Sequence, residues 1–196
     1  MMTKLQIEPL IRIPYYQYDA VYALSSKLFK LLPLSRPIIV LNIGTDRSTG
    51  DCLGPLIGTK LLQKRCPAFH IIGTLEEPVH AKNLTQSIET IYDSYHEPFV
   101  IAIDAALGRR EHIGHITLRE GPVRPGAALK KTLPEIGDAH LTGVVNIAGY
   151  MENAVLQSTR LASVMNIADC ITRSIYRTGL WQMRRQQVLT LPSTGI

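Results

Sequence analysis

Short, nearly continuous apolar runs alternate along the chain with amphipathic helical patterns, and this alternation constrains the fold more than any other feature. Residues 38–44 (IIVLNIG) and 99–105 (FVIAIDA) are the clearest runs, and both are rich in β-branched residues. A strand that is apolar on both faces is typical of a parallel sheet covered by helices on both sides. We therefore predict an α/β fold, a three-layer sandwich with a mostly parallel central sheet.

Weaker patterns complete the predicted order of elements. Three further strands are predicted at residues 70–75, 112–120 and 143–150, and four helices at residues 19–32, 53–66, 84–95 and 152–177. The strand at 112–120 looks more exposed than the others, and Asp19 is suited to cap the first helix. We predict a single domain over residues 1–196, with a core of about 18–178 and a loose C-terminal tail of about 186–196.

Composition narrows the class of protein. The chain has 196 residues, of which 45% are hydrophobic, enough for an ordinary globular core. The net charge is +5, but the sequence has no run of basic residues interleaved with aromatic residues, so no nucleic-acid partner is expected. Three scattered cysteines, the absence of a signal-peptide pattern and the absence of a membrane-length apolar run predict a cytoplasmic protein without a membrane partner.

Carboxylates follow two of the predicted strands. Asp46 and Asp51 lie in the turn after the first run, within residues 43–55 (IGTDRSTGDCLGP), and Asp104 closes the second run. In sheets of this kind the functional crevice lies beyond the carboxyl ends of the strands. Two partly buried carboxylates held close together share a proton, so that one can take a proton from water while the other donates one to the substrate. Asp51 and Asp104 are therefore predicted as a catalytic pair for hydrolysis.

Each carboxylate also has a structural interpretation. Asp51 precedes a helix and suits its N-cap, Asp104 suits a short turn, and Asp46 lies in a turn rich in hydrogen-bonding residues. A phosphate site is disfavoured, because the glycines match neither G-x-G-x-x-G nor G-x-x-x-x-G-K-[ST] and the carboxylates would repel a phosphate.

Metal binding and nucleophilic catalysis are the remaining alternatives. Two carboxylates and a histidine would make a transition-metal site. His140, just before the last predicted strand, and His80, after the second predicted strand, could reach the crevice. A nucleophile has less support, because no G-x-S-x-G motif is present and any thiolate character of Cys52 is offset by the neighbouring Asp51.

Three segments resemble the germination protease of spore-forming bacteria. Residues 44–55 (GTDRSTGDCLGP) resemble its G-N-x-x-x-T-P-D-x-L-G-P segment, residues 100–110 (VIAIDAALGRR) its VIAIDALAAR, and residues 121–131 (GPVRPGAALKK) its G-I-H-P-G-S-G-V-G-N-K loop. The segments occur in the same order in both. As a whole, the chain is most similar to the germination-protease-like family of the small sporulation protein YyaC, and more distantly to the hydrogenase maturation proteases.

The resemblance implies a phosphorylase/hydrolase-like sheet and an endopeptidase of atypical aspartic type that uses no cofactor and no metal. It places the two catalytic aspartates at Asp51 and Asp104. It also implies a protein or peptide substrate, such as small acid-soluble spore proteins, a homo-oligomer, and a location in the spore or forespore cytoplasm. The residues expected to bind substrate or support the dyad are Gly44, Thr45, Asp46, Thr49, Gly50 and His140.

The chain departs from its relatives at several positions. Gly50 stands where the germination protease has proline, and Thr45 where it has asparagine. The loop that carries a metal-binding histidine in hydrogenase maturation proteases reads RPGAALKK here, so a nickel site would need His140 or His80. Two other functions therefore stay open: a non-catalytic sporulation factor that binds a protein partner, and a metal-dependent maturation protease.

Overall fold

A computed structural model describes residues 8–66, 68–125 and 133–190. Its strands are β1 (Ile11–Pro14), β2 (Ile38–Asn42), β3 (His70–Ile72), β4 (Phe99–Gly108), β5 (His115–Glu120) and β6 (Ala139–Ile147). Its helices are α1 (Ala20–Leu31), α2 (Leu53–Gln63), α3 (Leu84–Ser94), α4 (Glu152–Gln157) and α5 (Leu161–Thr190), with one 3₁₀ turn at Arg110–His112.

The strands form one six-stranded sheet in the order β1-β5-β6-β4-β2-β3. The pairs β2–β3, β2–β4 and β4–β6 are parallel, whereas β5 is antiparallel to both β6 and β1. The predicted α/β fold with a mostly parallel sheet is therefore confirmed. Among the described residues, no helix combines the length and the hydropathy needed to cross a bilayer.

Helices cover both faces of the sheet. On one face α1, α2 and α5 pack against side chains such as Val40, Ile101 and Leu141. On the other face α3 packs against a second core that includes Leu41 and Ala102. Side chains alternate between the two faces along a strand, so the continuous apolar runs supply both cores.

The antiparallel edge of the sheet was not anticipated. β1 has no counterpart among the predicted strands, and it pairs with β5 along four residues. β5 is consequently an inner strand, and the prediction that it is more exposed is wrong: Ile116 and Leu118 are fully buried. β5 is paired on both sides, by β1 and β6, and even its polar Thr117 is buried.

Several element boundaries also differ from the predictions. β4 extends three residues beyond the predicted end, to Gly108, and β6 begins at Ala139 instead of residue 143. The predicted long helix is divided into α4 and α5, and residues 186–190 of the predicted loose tail continue α5 as helix, while residues 191–196 lie outside the described ranges. Asp19 occupies the N-cap of α1 but makes no capping hydrogen bond with its side chain; its carboxylate accepts one from Gln17 instead.

Candidate active site at the carboxyl edge of the sheet

The turn after β2, residues 43–52, is called the site loop below, and it begins as an extension of the sheet. The amide of Ile43 donates to the carbonyl of Ile103 in β4 (2.8 Å), and the amide of Gly44 donates to the carbonyl of Val79 (2.8 Å). The loop then folds back on itself, because the amide of Thr45 donates to the carbonyl of Asp51 at 3.1 Å. These bonds hold Asp51 against the strand end from which the loop departs.

Gly44 makes this return possible. Its φ of +144° lies in the region that favours glycine, and a Cβ there would stand 1.9 Å from the carbonyl oxygen of Asp51. Any other residue would therefore push Asp51 away from the sheet edge. This agrees with the predicted role of Gly44 in letting backbone segments approach closely, although its role toward substrate stays a prediction.

Asp51 is half-buried and lies just outside helix α2. The N-cap position of α2 belongs to Cys52, which makes no side-chain capping bond. Asp51 therefore precedes the N-cap of α2 by one residue. Asp51 does have interaction partners in the structure, so it is not a free carboxylate.

Asp104 lies within β4, not at its end, and is only 7% exposed. Its Oδ1 accepts a hydrogen bond from the amide of Ala105 at 2.9 Å, and its neighbour in the register with β6 is Thr142. It has further interactions within the protein. A carboxylate so deeply buried within a strand is uncommon and requires such partners.

The two aspartates belong to the same corner of the sheet. Asp104 directly follows Ile103, whose carbonyl accepts a hydrogen bond from the amide of Ile43. Thr45, two residues after Ile43, donates its amide to the carbonyl of Asp51. The strand order also reverses between β2 and β4. After β2 the chain forms β3 on one side of the β2–β4 pair, and after β4 it forms β5 and β6 on the opposite side. Ligand sites of open α/β sheets lie in the crevice at such a switch point.

Helix α4 supports the site loop from the far side. The amide of Gly50 donates to the carbonyl of Leu156 at 2.8 Å, and a Cβ on Gly50 would meet Leu156 and Thr159 at 2.8 and 2.9 Å. Asn146, near the end of β6, bonds Thr159 and the carbonyl of Val155. The site loop is therefore held between β2 and the segment after β6. No local sequence pattern predicts this contact.

The predicted supporting residues occupy different parts of the loop. Asp46 is exposed, and the hydroxyl of Thr45 donates to its carboxylate at 3.4 Å while accepting from the amide of Arg47. The hydroxyl of Thr45 thus bonds Asp46, and the expected support of the dyad by Thr45 stays a prediction. The carbonyl of Thr49 accepts the thiol of Cys52 at 3.0 Å.

The surroundings of Cys52 do not favour a nucleophilic thiolate. Burial raises the pKa of its thiol; the bond to its own backbone amide opposes this, and the charges of Asp51 and Asp46 add to the increase. A thiol with a raised pKa is mostly protonated at neutral pH and reacts slowly. This agrees with the low rank that a cysteine mechanism had on sequence grounds.

The two histidines proposed as metal ligands lie in different surroundings. His140 is inside β6, two residues before Thr142, and its Nδ1 bonds the carbonyl of Gly121 at 2.8 Å. Burial lowers the pKa of His140, the Gly121 bond opposes this, and the guanidinium of Arg119 lowers it further. His80 directly follows Val79, which pairs with Ile43, and its Nδ1 is buried without a hydrogen-bond partner among the described residues.

Metal-ligating side chains do not cluster in the part of the chain that the structure describes. Within residues 8–66, 68–125 and 133–190, no three or more histidine, cysteine, aspartate or glutamate side chains stand close enough together to hold a metal ion. The described donor set therefore does not match a three-ligand site of the kind considered above.

Comparison with known proteins identifies the family. The model of the family described as "Protein of unknown function (DUF1256)" matches residues 12–174. The chain belongs to the DUF1256 family. It is 47% identical over 165 residues to "Uncharacterized protein YyaC" of Bacillus subtilis (strain 168), an alignment that covers 84% of this chain and 80% of that protein. The resemblance to the YyaC family is thereby confirmed.

A solved structure shows the fold of this DUF1256 protein in another family. The crystal structure of the [NiFe] hydrogenase maturation protease HycI from Thermococcus kodakarensis KOD1 superposes with a TM-score of 0.53. The alignment covers 77% of this chain and 97% of HycI at 14% sequence identity. The likeness concerns the fold alone.

Proposed function

We propose that this DUF1256 protein is an endopeptidase of atypical aspartic type that hydrolyses peptide bonds with Asp51 and Asp104. The observation that carries the proposal is the burial of Asp104 within β4, beside the site loop that brings Asp51 back to the same sheet corner. The protease-like fold and the topological switch point at β2 and β4 support it.

The chemistry requires two proton transfers, and two carboxyl groups can perform both. One aspartate, as carboxylate, accepts a proton from water while the oxygen adds to the scissile carbonyl carbon. The other, as carboxylic acid, donates its proton to the amide nitrogen as the C–N bond breaks. The carboxyl groups exchange their protonation states in the step and regain them when a proton is passed back.

The biological setting in the proposal comes from sequence resemblance. The germination protease resemblance favours small acid-soluble spore proteins as substrates and the spore or forespore cytoplasm as location. The protein would act there as a homo-oligomer without a nucleic-acid or membrane partner.

The test is degradation of small acid-soluble spore proteins by the purified protein and by Asp51→Asn and Asp104→Asn. Asparagine keeps the oxygen that accepts the Ala105 amide, so Asp104→Asn removes the charge with little change in shape. We expect each variant to lose cleavage by about 10²-fold or more, the usual contribution of a positioned acid or base. Asp93→Asn, an exposed change on α3, is the matched control and should cleave normally.

The outcomes separate the candidate functions. Cleavage that is lost in both dyad variants and unaffected by a chelator supports the aspartic mechanism. Cleavage that is lost on chelation favours a metal-dependent protease. Absence of cleavage by the wild-type protein, with all variants equally folded, refutes the proposal for this substrate and favours a partner-binding sporulation factor.

A further inference from the structure

A cleft of about 350 Å³ separates helices α2 and α5 in the helical layer of the protein. The site loop leads into the start of α2, whereas the cleft lies at the other end of that helix. It is called the basic cleft below. Neither aspartate of the candidate dyad is among its described lining residues, which are Lys60, Gln63, Lys64, Asp169, Thr172 and Arg173.

The charge of the basic cleft is positive, because three of its described lining side chains are basic and one is acidic. Lys60 Nζ bonds the carboxylate of Asp169 at 2.9 Å. Lys64 Nζ lies over the ring of Tyr176, 5.5 Å from its centroid. Arg173 is exposed, and neither Arg173 nor Lys64 forms an ion pair with any described residue. Like charges around one cleft repel each other, and an anion between them would remove that repulsion.

Helix stability accounts for only part of this charge. Lys60 lies in the last turn of α2 and Lys64 is its C-cap residue, where positive charges stabilise the negative end of the helix dipole. That explanation does not extend to Arg173, which lies in the middle of the 30-residue helix α5. The basic cleft therefore carries more positive charge than the two helices require.

Thr172 provides a second, independent observation. It is only 1% exposed, and its hydroxyl has no hydrogen-bond partner among the described residues. Other buried hydroxyls of α5 bond the carbonyl four residues earlier, as Ser174 and Thr178 do at 2.8 Å. A buried hydroxyl without a partner is costly, so the unpaired Thr172 hydroxyl at a cleft calls for a partner from outside the chain. Because the lining is cationic, an anion is the partner that fits.

We propose that the basic cleft binds a phosphate group, either as the free ion or as a monoester of a small molecule. Arg173, Lys64 and Lys60 supply the positive charge, and the Thr172 hydroxyl donates from the floor of the cleft. A guanidinium bonds two phosphate oxygens at once, and an ammonium acts as a point charge. Lys60 has three N–H donors, so it can bond the phosphate and keep its bond to Asp169.

The size of the basic cleft is compatible with both forms of the ligand. Its volume of about 350 Å³ lies at the lower end of the range of about 300–1,000 Å³ that is usual for small-molecule pockets. The proposed site is separate from the candidate dyad, and it does not depend on the proposed peptidase function.

The first experiment is calorimetric titration of the full-length protein with inorganic phosphate at constant ionic strength. We expect saturable binding with one site per chain. Arg173→Ala should raise Kd by about tenfold or more, since a hydrogen bond between charged groups is among the strongest in proteins. Arg184→Ala removes the same charge from an exposed position of α5 outside the described lining, and it should keep the wild-type Kd. No saturable binding by the wild type, or an equal loss in both variants, overturns the proposal.

Variants of Thr172 test the floor of the cleft. Thr172→Val removes a hydroxyl that makes no bond within the described protein, so its Tm should be at least that of the wild type. Its Kd for phosphate should nevertheless rise by about fivefold, the worth of one neutral hydrogen bond. Thr172→Ser keeps the hydroxyl and should keep the affinity. Unchanged affinity in Thr172→Val overturns the proposed seat of the phosphate.

Asp169 offers a variant that should bind phosphate more tightly. Its carboxylate repels an anion and competes for Lys60, so Asp169→Asn should lower Kd by about two- to fivefold, the scale of an exposed ion pair. The exposed Asp93→Asn on α3 makes the same change of charge away from the cleft and is the control. Equal affinity of Asp169→Asn and Asp93→Asn would contradict the role given to Lys60.

A titration with ribose 5-phosphate distinguishes the two sources of the phosphate group. Binding that is tighter than that of inorganic phosphate and needs Arg173 indicates a monoester ligand, and weaker binding indicates the free ion. Binding of ribose 5-phosphate that persists unchanged in Arg173→Ala overturns the site. None of these measurements uses peptide cleavage, so their failure leaves the peptidase proposal to its own test.

Discussion

Replacing Gly54 with alanine should destabilise the protein and disable the site, against the intrinsic preference of the helix. Gly54 lies in the first turn of α2, where alanine is favoured over glycine by about 1 kcal/mol. However, a Cβ there would stand 2.2 Å from the carbonyl oxygen of Ile43 and 2.7 Å from its amide nitrogen. Neither backbone atom can rotate away, so the start of α2 must retreat by about 1 Å to reach an ordinary contact.

The size of the effect follows from this displacement. Overpacking of this kind costs about 1–3 kcal/mol, and a net loss of about 2 kcal/mol lowers the Tm of a chain of this length by about 4–8 °C. Ile43 also anchors the site loop to Ile103, so the same shift should move Asp51 relative to Asp104. A misplacement of about 1 Å in an active site can cost about 10²-fold in rate.

Thermal unfolding of the wild type, Gly54→Ala and Gly179→Ala measures the effect. Gly179 is also helical, but the nearest atom to its Cβ is the Cys66 Sγ at 2.9 Å, a side-chain atom that can shift, so its replacement should change Tm by less than Gly54→Ala does. A Gly54→Ala variant as stable as the wild type would refute the close seating of α2 on Ile43. A destabilised variant with full peptidase activity would instead show that the geometry of the dyad does not depend on that contact.

Two further predictions concern titratable groups. Because the pKa of His140 is lowered in the folded protein, the unfolded chain binds more protons, and the free energy of unfolding should fall as the pH drops through 6.5 toward the lowered pKa. In denaturant titrations from pH 7.5 to 5, the free energy of unfolding should fall less steeply for His140→Asn than for the wild type. The exposed His96→Asn is the control. Equal slopes for the wild type and His140→Asn would contradict the reasoning. Burial raises the pKa of Cys66 and Cys170 from 9.0 to about 11, so at pH 8 they should carry about a hundredfold less thiolate than in the unfolded chain. Alkylation followed by mass spectrometry, with and without urea, should show at least that difference in rate, and equally fast labelling of the native protein would show that these thiols are accessible.

Local patterns were sufficient for the parallel part of the fold. Helices cover both sides of β2 and β4, so consecutive residues in these strands are apolar. A short stretch of sequence is therefore enough to predict that they are buried. The position of Asp51 after one such run and of Asp104 in the other also followed from the order of the residues along the chain. The candidate dyad is thus a prediction from the sequence and stays one.

The antiparallel edge and the clamp on the site loop depended on contacts between distant residues. β1 is four residues long, with too little alternation to identify it alone, and it becomes a strand because β5 offers it hydrogen bonds. Likewise, the bond between Gly50 and Leu156 joins segments about a hundred positions apart and has no local signature.

The sequence by itself determined the α/β class, the alternation of buried strands and helices, and the two carboxylates, because each depends on burial and polarity read over a few consecutive residues. Only the tertiary structure decided that β5 is an inner strand, that Asp104 lies inside β4, and that Gly50 of the site loop bonds Leu156. These relations arise from hydrogen bonds between segments far apart in the chain.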